Sequence, residues 1–196
     1  QIAQDKYKAV VIGNHGKNFC VGANLKELLE CVKTKDLALA RKMIAQFQKA
    51  SMSIKYCGVP VVVAAHGMAL GGGCEFIMHS PYPILSAEAY IGLVEIGVGL
   101  IPAGGGTKEM AVMISDTYQK TGEWNKPLKK AFETLGMAKV SASGIEGSSL
   151  YLNSYIACFL FLKILIFIYS ERALTQVRPT PCNPLETLYA ESSSFF

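Results

Sequence analysis

The chain has few charged residues and no pattern that would hold a metal ion. Lys and Arg number 19 and Asp and Glu 15, for a net charge of +4. No basic run is interleaved with aromatic residues, so nucleic-acid binding is disfavoured. The three histidines lack His-Glu-x-x-His spacing, so we predict no metal site. We interpret His66 and His79 as packed or capping residues.

Two glycine patterns stop short of a nucleotide-binding motif. The stretch from Gly97 begins like a dinucleotide fingerprint, but Pro102 stands where the third glycine belongs. The segment starting at Gly106 lacks the Gly-Lys-Ser/Thr order of a phosphate loop. There is also no Gly-x-Ser-x-Gly elbow, so a serine hydrolase would have no nucleophile in the expected setting.

The chain contains no Cys-x-x-Cys pair. A disulfide scaffold or a zinc ribbon needs regular cysteine spacing, so isolated cysteines among apolar residues indicate reduced thiols. We therefore predict a reducing compartment and a cytoplasmic location. The chain starts at Gln1 with no charged and apolar leader, so no signal peptide is visible. The six cysteines are Cys20, Cys31, Cys57, Cys74, Cys158 and Cys182.

The composition is that of a folded domain. With 196 residues, of which 51% are hydrophobic and 17% charged, the chain can bury a sizeable core. Short apolar runs predict strands and apolar residues at helical spacing predict helices, and their alternation indicates an α/β layered fold. The predicted strands are residues 9–13, 59–65, 83–86 and 89–92, the predicted helices are residues 25–31, 36–55 and 74–78, and residues 116–127 are a predicted exposed insertion.

Three adjacent glycines precede the predicted helix at residues 74–78. Gly71, Gly72 and Gly73 follow an apolar run. The first N–H groups of a helix have no acceptor within the helix, so they point outward. Such donors suit a negative oxygen that develops during a reaction.

Two glutamates accompany this turn. Glu75 stands at the predicted helix start, where a carboxylate is favourable anyway, so taken singly it would be structural. Glu95 lies between Val94 and Ile96 in an apolar run, which favours a functional role. Two carboxylates close together and away from water repel each other, so one keeps its proton near neutral pH. Such a pair can act as acid and base on a carbonyl compound.

Three segments resemble the enoyl-CoA hydratase/isomerase (crotonase) family, in its order and close to its spacing. Asn-Phe-Cys-Val-Gly-Ala-Asn-Leu-Lys at residues 18–26 resembles the oxyanion and CoA segment. Residues 67–75 resemble the Gly-x-x-x-Gly-Gly-Gly-x-Glu turn. Residues 92–95 and 99–107 resemble the Gly-x-x-Glu segment and the glycine-rich loop after it. Each motif alone is weak evidence, whereas three in register are strong evidence.

The resemblance implies a site and a reaction. Backbone amides of Ala23 and Gly72 would form the oxyanion hole, and Glu75 and Glu95 would be the catalytic carboxylates. Keeping both acids implies addition of water to a 2-enoyl-CoA in fatty acid β-oxidation. No cofactor is implied, since coenzyme A is part of the substrate. The residues implied to contact that substrate are Ala23, Asn24, Leu25, Lys26 and Gly71.

Three residues depart from the family pattern. Asn24 replaces the usual Asp, and Leu93 replaces a residue that is often polar. Ala103 stands where hydratases usually have glycine near the attacking water, so its methyl group could shift the acyl chain or lower activity.

The implied fold is a crotonase-like (ClpP/crotonase) α/β architecture with layered sheets and surrounding helices. The resemblance covers residues 7–146, so we divide the chain into a partial hydratase domain at 1–147 and an atypical tail at 148–196. The hydratase domain is predicted to be truncated at both ends relative to the family fold. The polar stretch at 116–127 resembles hydratase domains fused to 3-hydroxyacyl-CoA dehydrogenases. The resemblance implies either assembly with further copies of this chain as a homo-oligomer, a trimer or hexamer, or fusion to a dehydrogenase domain. NAD is expected only if the dehydrogenase domain exists.

The tail and the truncation leave alternatives open. Residues 150–169 are apolar all round and would extend about 30 Å as a helix, enough to cross a bilayer. Lys163 in the middle and the lack of flanking basic residues disfavour a membrane segment. An open sheet edge and this apolar segment predict an aggregation-prone chain. The alternatives to a hydratase are an inactive or scaffolding fragment and an isomerase of the same family.

Overall fold

Strands and helices alternate along residues 7–152, the part of the chain that the computed structural model describes. Each strand is followed by at least one helix, so the strands can run parallel, as in other α/β folds. The elements are β1 (Val10–Ile12), α1 (Leu25–Thr34), α2 (Leu37–Lys55), β2 (Val61–Leu70), α3 (Gly72–His79), β3 (Tyr82–Gly92), a 3-10 helix (Glu95–Val98), α4 (Gly106–Thr121), α5 (Asn125–Gly136) and α6 (Gly144–Tyr151).

The three strands form a parallel sheet in the order β1-β2-β3. β2 is central and begins with a run of valines, because β-branched side chains pack well on a pleated surface. Val61, Val63 and Ala65 are buried on one face and belong to the core. A register irregularity lies between Ala65 and Gly67. β2 then continues beyond the predicted end at residue 65 to Leu70, which brings it directly to the glycine turn.

The prediction of two short strands at residues 83–86 and 89–92 is wrong. β3 is one strand from Tyr82 to Gly92, but its pairing with β2 is irregular in the middle. Ala65 pairs with Leu85 and Gly67 with Ala89, so residues 86–88, where the two predicted strands meet, are left out of the register. The strand bulges at this point, where Glu88 is exposed, and then continues.

Residues 116–127 form the ends of two helices and the short turn between them, and most of them are exposed as predicted. α4 runs to Thr121 and ends at Gly122, whose φ of 72° provides a left-handed helix cap. α5 starts three residues later, and Pro127 lies in its first turn, where a missing N–H costs nothing. The polarity of this stretch reflects the exposed ends of two helices.

Side-chain caps define the helices of the first half. Asn24 accepts a hydrogen bond from the Lys26 amide and begins α1, and Asp36 accepts one from the Leu39 amide and begins α2. Both helices therefore start within a residue of their predicted bounds. α1 ends at Thr34, three residues beyond the prediction, because Lys35 adopts φ 56° and closes the helix.

α6 closes the sheet on its outer side. Ser141, just before this helix, accepts a hydrogen bond from Ile91 N through Oγ at 2.9 Å and donates its own amide to Ile91 O. Tyr151, at the end of α6, is buried and donates its hydroxyl to Lys139 O. These bonds satisfy the polar groups at the end of β3, next to the loop that carries Glu95.

No helix within residues 7–152 is both long and apolar enough to cross a bilayer. The predicted apolar segment at 150–169 and the rest of the tail lie almost entirely outside the described residues. No disulfide joins the cysteines of residues 7–152.

Gly67 allows the loop before α1 to lie directly on β2. Its φ is 54°, and a Cβ added there would lie 2.5 Å from Lys17 O and 2.9 Å from Asn18 Oδ1. Asn18 Oδ1 also accepts a hydrogen bond from Met68 N at 3.0 Å. The close backbone contact therefore leaves no space for any side chain.

We expect Gly67→Ala to lower the free energy of unfolding by about 2 kcal/mol or more, from left-handed strain and steric overlap. Gly97→Ala is the control, because nothing lies within 4 Å of a Cβ at that position. It should change stability by less than about 0.5 kcal/mol. Urea unfolding of both variants measures the difference. Equal midpoints would mean that the Gly67 contact does not constrain the loop.

Candidate active site

The glycine turn between β2 and α3 presents backbone amides. Gly71 has φ 54° and ψ −120°, a conformation open to glycine, and its own amide donates to Gly92 O at 2.8 Å. α3 begins at Gly72, so the Gly72 amide has no acceptor inside the helix. The hydrogen bonds found outside the helices and strands of residues 7–152 include none donated by the Gly72 or Ala23 amide.

The loop that carries Ala23 is attached to the end of β2. Cys20 donates its amide to Met68 O at 3.1 Å and accepts one from Leu70 N at 2.8 Å. Gly22, with φ 101°, then turns the chain, and its Cα would lie 3.7 Å from a Cβ on Gly71. The structure therefore brings the two predicted oxyanion segments side by side.

Glu75 is buried in the first turn of α3. It is 3% exposed, so it is not a solvated residue at a helix start. Its Oε1 accepts a hydrogen bond from Gly106 N at 2.8 Å, across to the start of α4. Its Oε2 lies against Gly104, where any Cβ would overlap it. The carboxyl group is thus enclosed by the glycine-rich loop.

Glu95 lies on the other side of the glycine turn. It opens the 3-10 helix after β3, and its Oε1 would lie 3.2 Å from a Cβ on Gly71. Its Oε2 is buried and has no hydrogen-bond partner within residues 7–152. One carboxylate oxygen next to the oxyanion turn is therefore left as an open acceptor.

Burial raises the pKa of both carboxyl groups. For Glu75, loss of solvent raises the pKa from 4.5 to about 7, with the Glu95 charge adding to the rise and the Gly106 amide opposing it. For Glu95, loss of solvent raises the pKa and its own amide opposes the rise. Burial, followed by both glutamate charges, also raises the pKa of Cys74, so this thiol between them stays protonated. Two neighbouring carboxyl groups whose pKa values are both raised are suited to proton transfer.

Phe47 of α2 forms the wall of this site. Its ring stacks on Phe76 with 5.0 Å between ring centroids, and it lies where a Cβ on Gly72 or Gly104 would stand. The sequence indicated only a core-facing position for Phe47, whereas the structure places it beside both the oxyanion turn and the Glu75 loop.

Ala103, which departs from the family pattern, is held in place by a hydrogen bond to its backbone carbonyl. Ala103 O accepts a hydrogen bond from Gln48 Nε2 at 2.7 Å. This bond fixes the loop against α2 next to Gly104. Sequence reasoning missed Gln48, because an exposed glutamine on a helix carries no signal of its own.

The remaining predicted substrate residues lie at the start of α1. Asn24 caps the helix and donates through Nδ2 to Glu27 Oε1 at 3.0 Å, so its side chain serves the helix end. Leu25 and Lys26 follow it and are exposed. These residues are contiguous with Ala23, and hence with the glycine turn. The described part of the chain has no cluster of His, Cys, Asp and Glu side chains that could hold a metal ion.

Comparison with known proteins identifies the family. Residues 1–117 match the family model described as enoyl-CoA hydratase/isomerase. A probable 3-hydroxyacyl-CoA dehydrogenase from Bacillus subtilis is 47% identical over 140 residues, which cover 71% of this chain and 17% of that protein. A putative fatty acid oxidation complex trifunctional enzyme from Rickettsia felis is 40% identical over 110 residues, which cover 56% of this chain and 15% of that protein. The chain therefore spans a small part of these relatives.

Solved structures agree in fold. An enoyl-CoA hydratase from a Polaromonas species superimposes with a TM-score of 0.66 at 22% identity, covering 86% of this chain and 62% of the other. An enoyl-CoA hydratase from Bacillus anthracis superimposes with a TM-score of 0.62 at 23% identity, and the match covers 84% of this chain and 58% of the other. The α/β architecture is that of crotonase-fold hydratases. With its sequence match over more than half of its length, this chain belongs to the enoyl-CoA hydratase/isomerase family.

Proposed function

We propose that the site hydrates a 2-enoyl-CoA thioester. Water would add across the conjugated double bond, with its hydroxyl on the β carbon and a proton on the α carbon. The observation that carries this proposal is a pair of glutamates, the buried Glu75 and the half-buried Glu95, on either side of a glycine turn with outward amides. Each part matches a demand of that reaction.

The first demand is a place for the thioester oxygen, which gains negative charge as water attacks. The amides of Ala23 and Gly72 would donate to it. One such donor is typically worth about 2.7 to 4 kcal/mol of transition-state stabilisation. The positive end of α3, which starts at Gly72, favours the same charge. The oxyanion hole would therefore contribute as much as either carboxyl group.

The second demand is proton transfer at two positions. One carboxylate would take a proton from the attacking water, while the other carboxylic acid protonates the α carbon. Glu75 with a pKa of about 7 is present in both forms at neutral pH. Glu95 offers Oε2, a buried oxygen without a partner in residues 7–152, to the water. An isomerase needs only one group that moves a proton between two carbons, so two placed acids favour hydration.

The wider role fits the relatives. Hydration of a 2-enoyl-CoA yields a 3-hydroxyacyl-CoA, the compound named in the dehydrogenase relative from Bacillus subtilis. The hydratase step itself consumes no cofactor, and NAD would belong to a dehydrogenase domain elsewhere in a longer protein. Assembly as a trimer or hexamer and the cytoplasmic location stay predictions.

Glu75→Gln and Glu95→Gln should each lower kcat for hydration of a short 2-enoyl-CoA by about 100-fold or more, because each removes a proton-transfer group. Binding of the thioester should persist, since the amides remain. Loss of absorbance of the conjugated double bond measures the rate. Glu88→Gln is the matched control, because Glu88 is exposed on β3.

The same assay distinguishes the other members of the class. Near-normal hydration by either variant would rule out the paired mechanism. No hydration by the parent chain, together with conversion of a 3-enoyl-CoA to its 2-enoyl isomer, would show an isomerase. Absence of both activities in a folded chain that still binds the thioester would support a scaffolding role.

Gly72→Pro removes the amide without an obligatory break in α3, because proline is tolerated at the first position of a helix. We expect turnover to fall on the order of 100-fold. Gly72→Ala is the control. The introduced proline and the introduced alanine both place a Cβ 2.7 Å from Cζ of Phe47, but only alanine keeps the backbone N–H. Equal turnover in the two folded variants would show that the Gly72 amide does not hold the oxygen.

The raised pKa of Glu75 predicts a pH-dependent stability. Between pH 4.5 and about 7 the folded protein keeps a proton on Glu75 that the unfolded chain has released. The free energy of unfolding therefore falls as pH rises through this window, by a total on the order of 3 kcal/mol. Glu75→Gln should lose this slope, whereas Glu88→Gln should keep it. Urea titrations at several pH values measure both, and a parent-like slope in Glu75→Gln would contradict the burial of the charge.

A further inference from the structure

His79 connects two parts of the Glu75 environment. It stands one helical turn after Glu75 in α3 and is 1% exposed. Its Nδ1 lies 2.7 Å from Glu75 O, and because a carbonyl only accepts, Nδ1 carries the proton. The side chain thus donates to the carbonyl that also receives the backbone N–H of the same turn.

The ring of His79 also supports the loop over Glu75. Gly105 has φ 123°, and a Cβ there would lie 2.6 Å from both Cε1 and Nε2 of the ring. The next residue, Gly106, donates the amide that holds Glu75 Oε1 at 2.8 Å. The ring therefore packs against the residue that precedes the Gly106 amide bound to Glu75.

A partly exposed ion cluster around the buried Glu109 lies at the Nε2 end of the ring. Glu109 Oε1 lies 3.4 Å from His79 Nε2, but Lys55 and Lys108 already bind this carboxylate, at 2.7 Å and 2.5 Å. Burial and the two lysines lower the pKa of His79, against the opposing effects of Glu75 O and Glu109, so the ring is neutral at pH 7. Nε2 then has no hydrogen-bond partner in residues 7–152. Such a buried, unsatisfied nitrogen is costly and needs a compensating role.

We propose that His79 is a positioning residue for Glu75, acting on its backbone carbonyl through Nδ1 and on its carboxyl group through the Gly105–Gly106 loop. The proposal rests on the hydratase site above. His79 touches no substrate, and its effect is to hold the carboxyl group enclosed and aimed. Glu109, with Lys55 and Lys108 bound to it, lies at the Nε2 end of the ring, which also contacts Gly105.

Two readouts in the 196-residue chain test this role. The first readout is the separate measurement of kcat and KM for hydration of a short 2-enoyl-CoA. His79→Ala should lower kcat by about tenfold or more with little change in KM, since about 1 Å of misplacement costs on the order of 100-fold. The second is the titration of the Glu75 side chain, followed by NMR in protein with labelled glutamate and assigned by its loss in Glu75→Gln. In His79→Ala water reaches the carboxyl group, and its pKa falls from about 7 towards 4.5.

Three further variants separate positioning from stability. His79→Asn places an amide N–H near Nδ1, and His79→Phe keeps a ring beneath Gly105, so each should restore part of kcat and part of the Glu75 titration. Leu150→Ala is the stability control, because it truncates a buried residue of α6. It should lower the unfolding midpoint without moving the Glu75 titration.

The outcomes are distinct. A folded His79→Ala variant with unchanged kcat and unchanged Glu75 titration overturns the proposal. A titration that moves equally in Leu150→Ala overturns it too, because His79 would then contribute stability alone. A moved Glu75 titration in a chain that hydrates no 2-enoyl-CoA supports the positioning role and refutes the proposed reaction.

Discussion

The enclosure of the Glu75 carboxyl group is the constraint on which the rest of the site depends. A carboxyl group away from water is tolerated only if it keeps its proton or receives hydrogen bonds, and here the raised pKa and the Gly106 amide provide both. The enclosure also requires the backbone of the glycine-rich loop to lie in contact with the Glu75 carboxyl group and the His79 ring. Gly104 and Gly105 are glycines because a side chain would overlap the Glu75 carboxyl group or the His79 ring. The backbone of the glycine-rich loop therefore covers the buried carboxyl group of Glu75.

The same requirement for close backbone packing extends to the oxyanion turn. A Cβ on Gly73 would lie 2.8 Å from Cβ of Cys20, and one on Gly67 would meet the main chain of the same loop. The hydrogen bonds between Cys20 and the end of β2 depend on this approach. Since Ala23 lies three residues beyond Cys20, a loosened contact at either glycine would move one oxyanion amide relative to the other. Stability and geometry are thus coupled at positions that carry no reactive group.

Local sequence predicted β1, the first half of β2 and the long helix α2, because each has a local signature. It also singled out Glu75 and Glu95, whose catalytic role stays a prediction. It failed where a signature was ambiguous or distant. The bulge at residues 86–88 divides β3 into two regular stretches, so the sequence indicated two strands where there is one. The bond from Gly106 to Glu75 joins residues 31 apart, and Gln48 reaches Ala103 across 55 residues. Such contacts are set by how the layers pack, which periodicity does not contain.

The two glutamates differ in what surrounds them, and this difference bears on the proposed reaction. Glu75 already receives an amide hydrogen bond, so its partner is provided by the fold. Glu95 Oε2 is buried without one in the described part of the chain, at a cost of about 1 to 3 kcal/mol. A water molecule bound there for attack would recover that cost and be oriented by it. Glu95 Oε2 would thus face the water molecule whose proton it accepts in the proposed reaction.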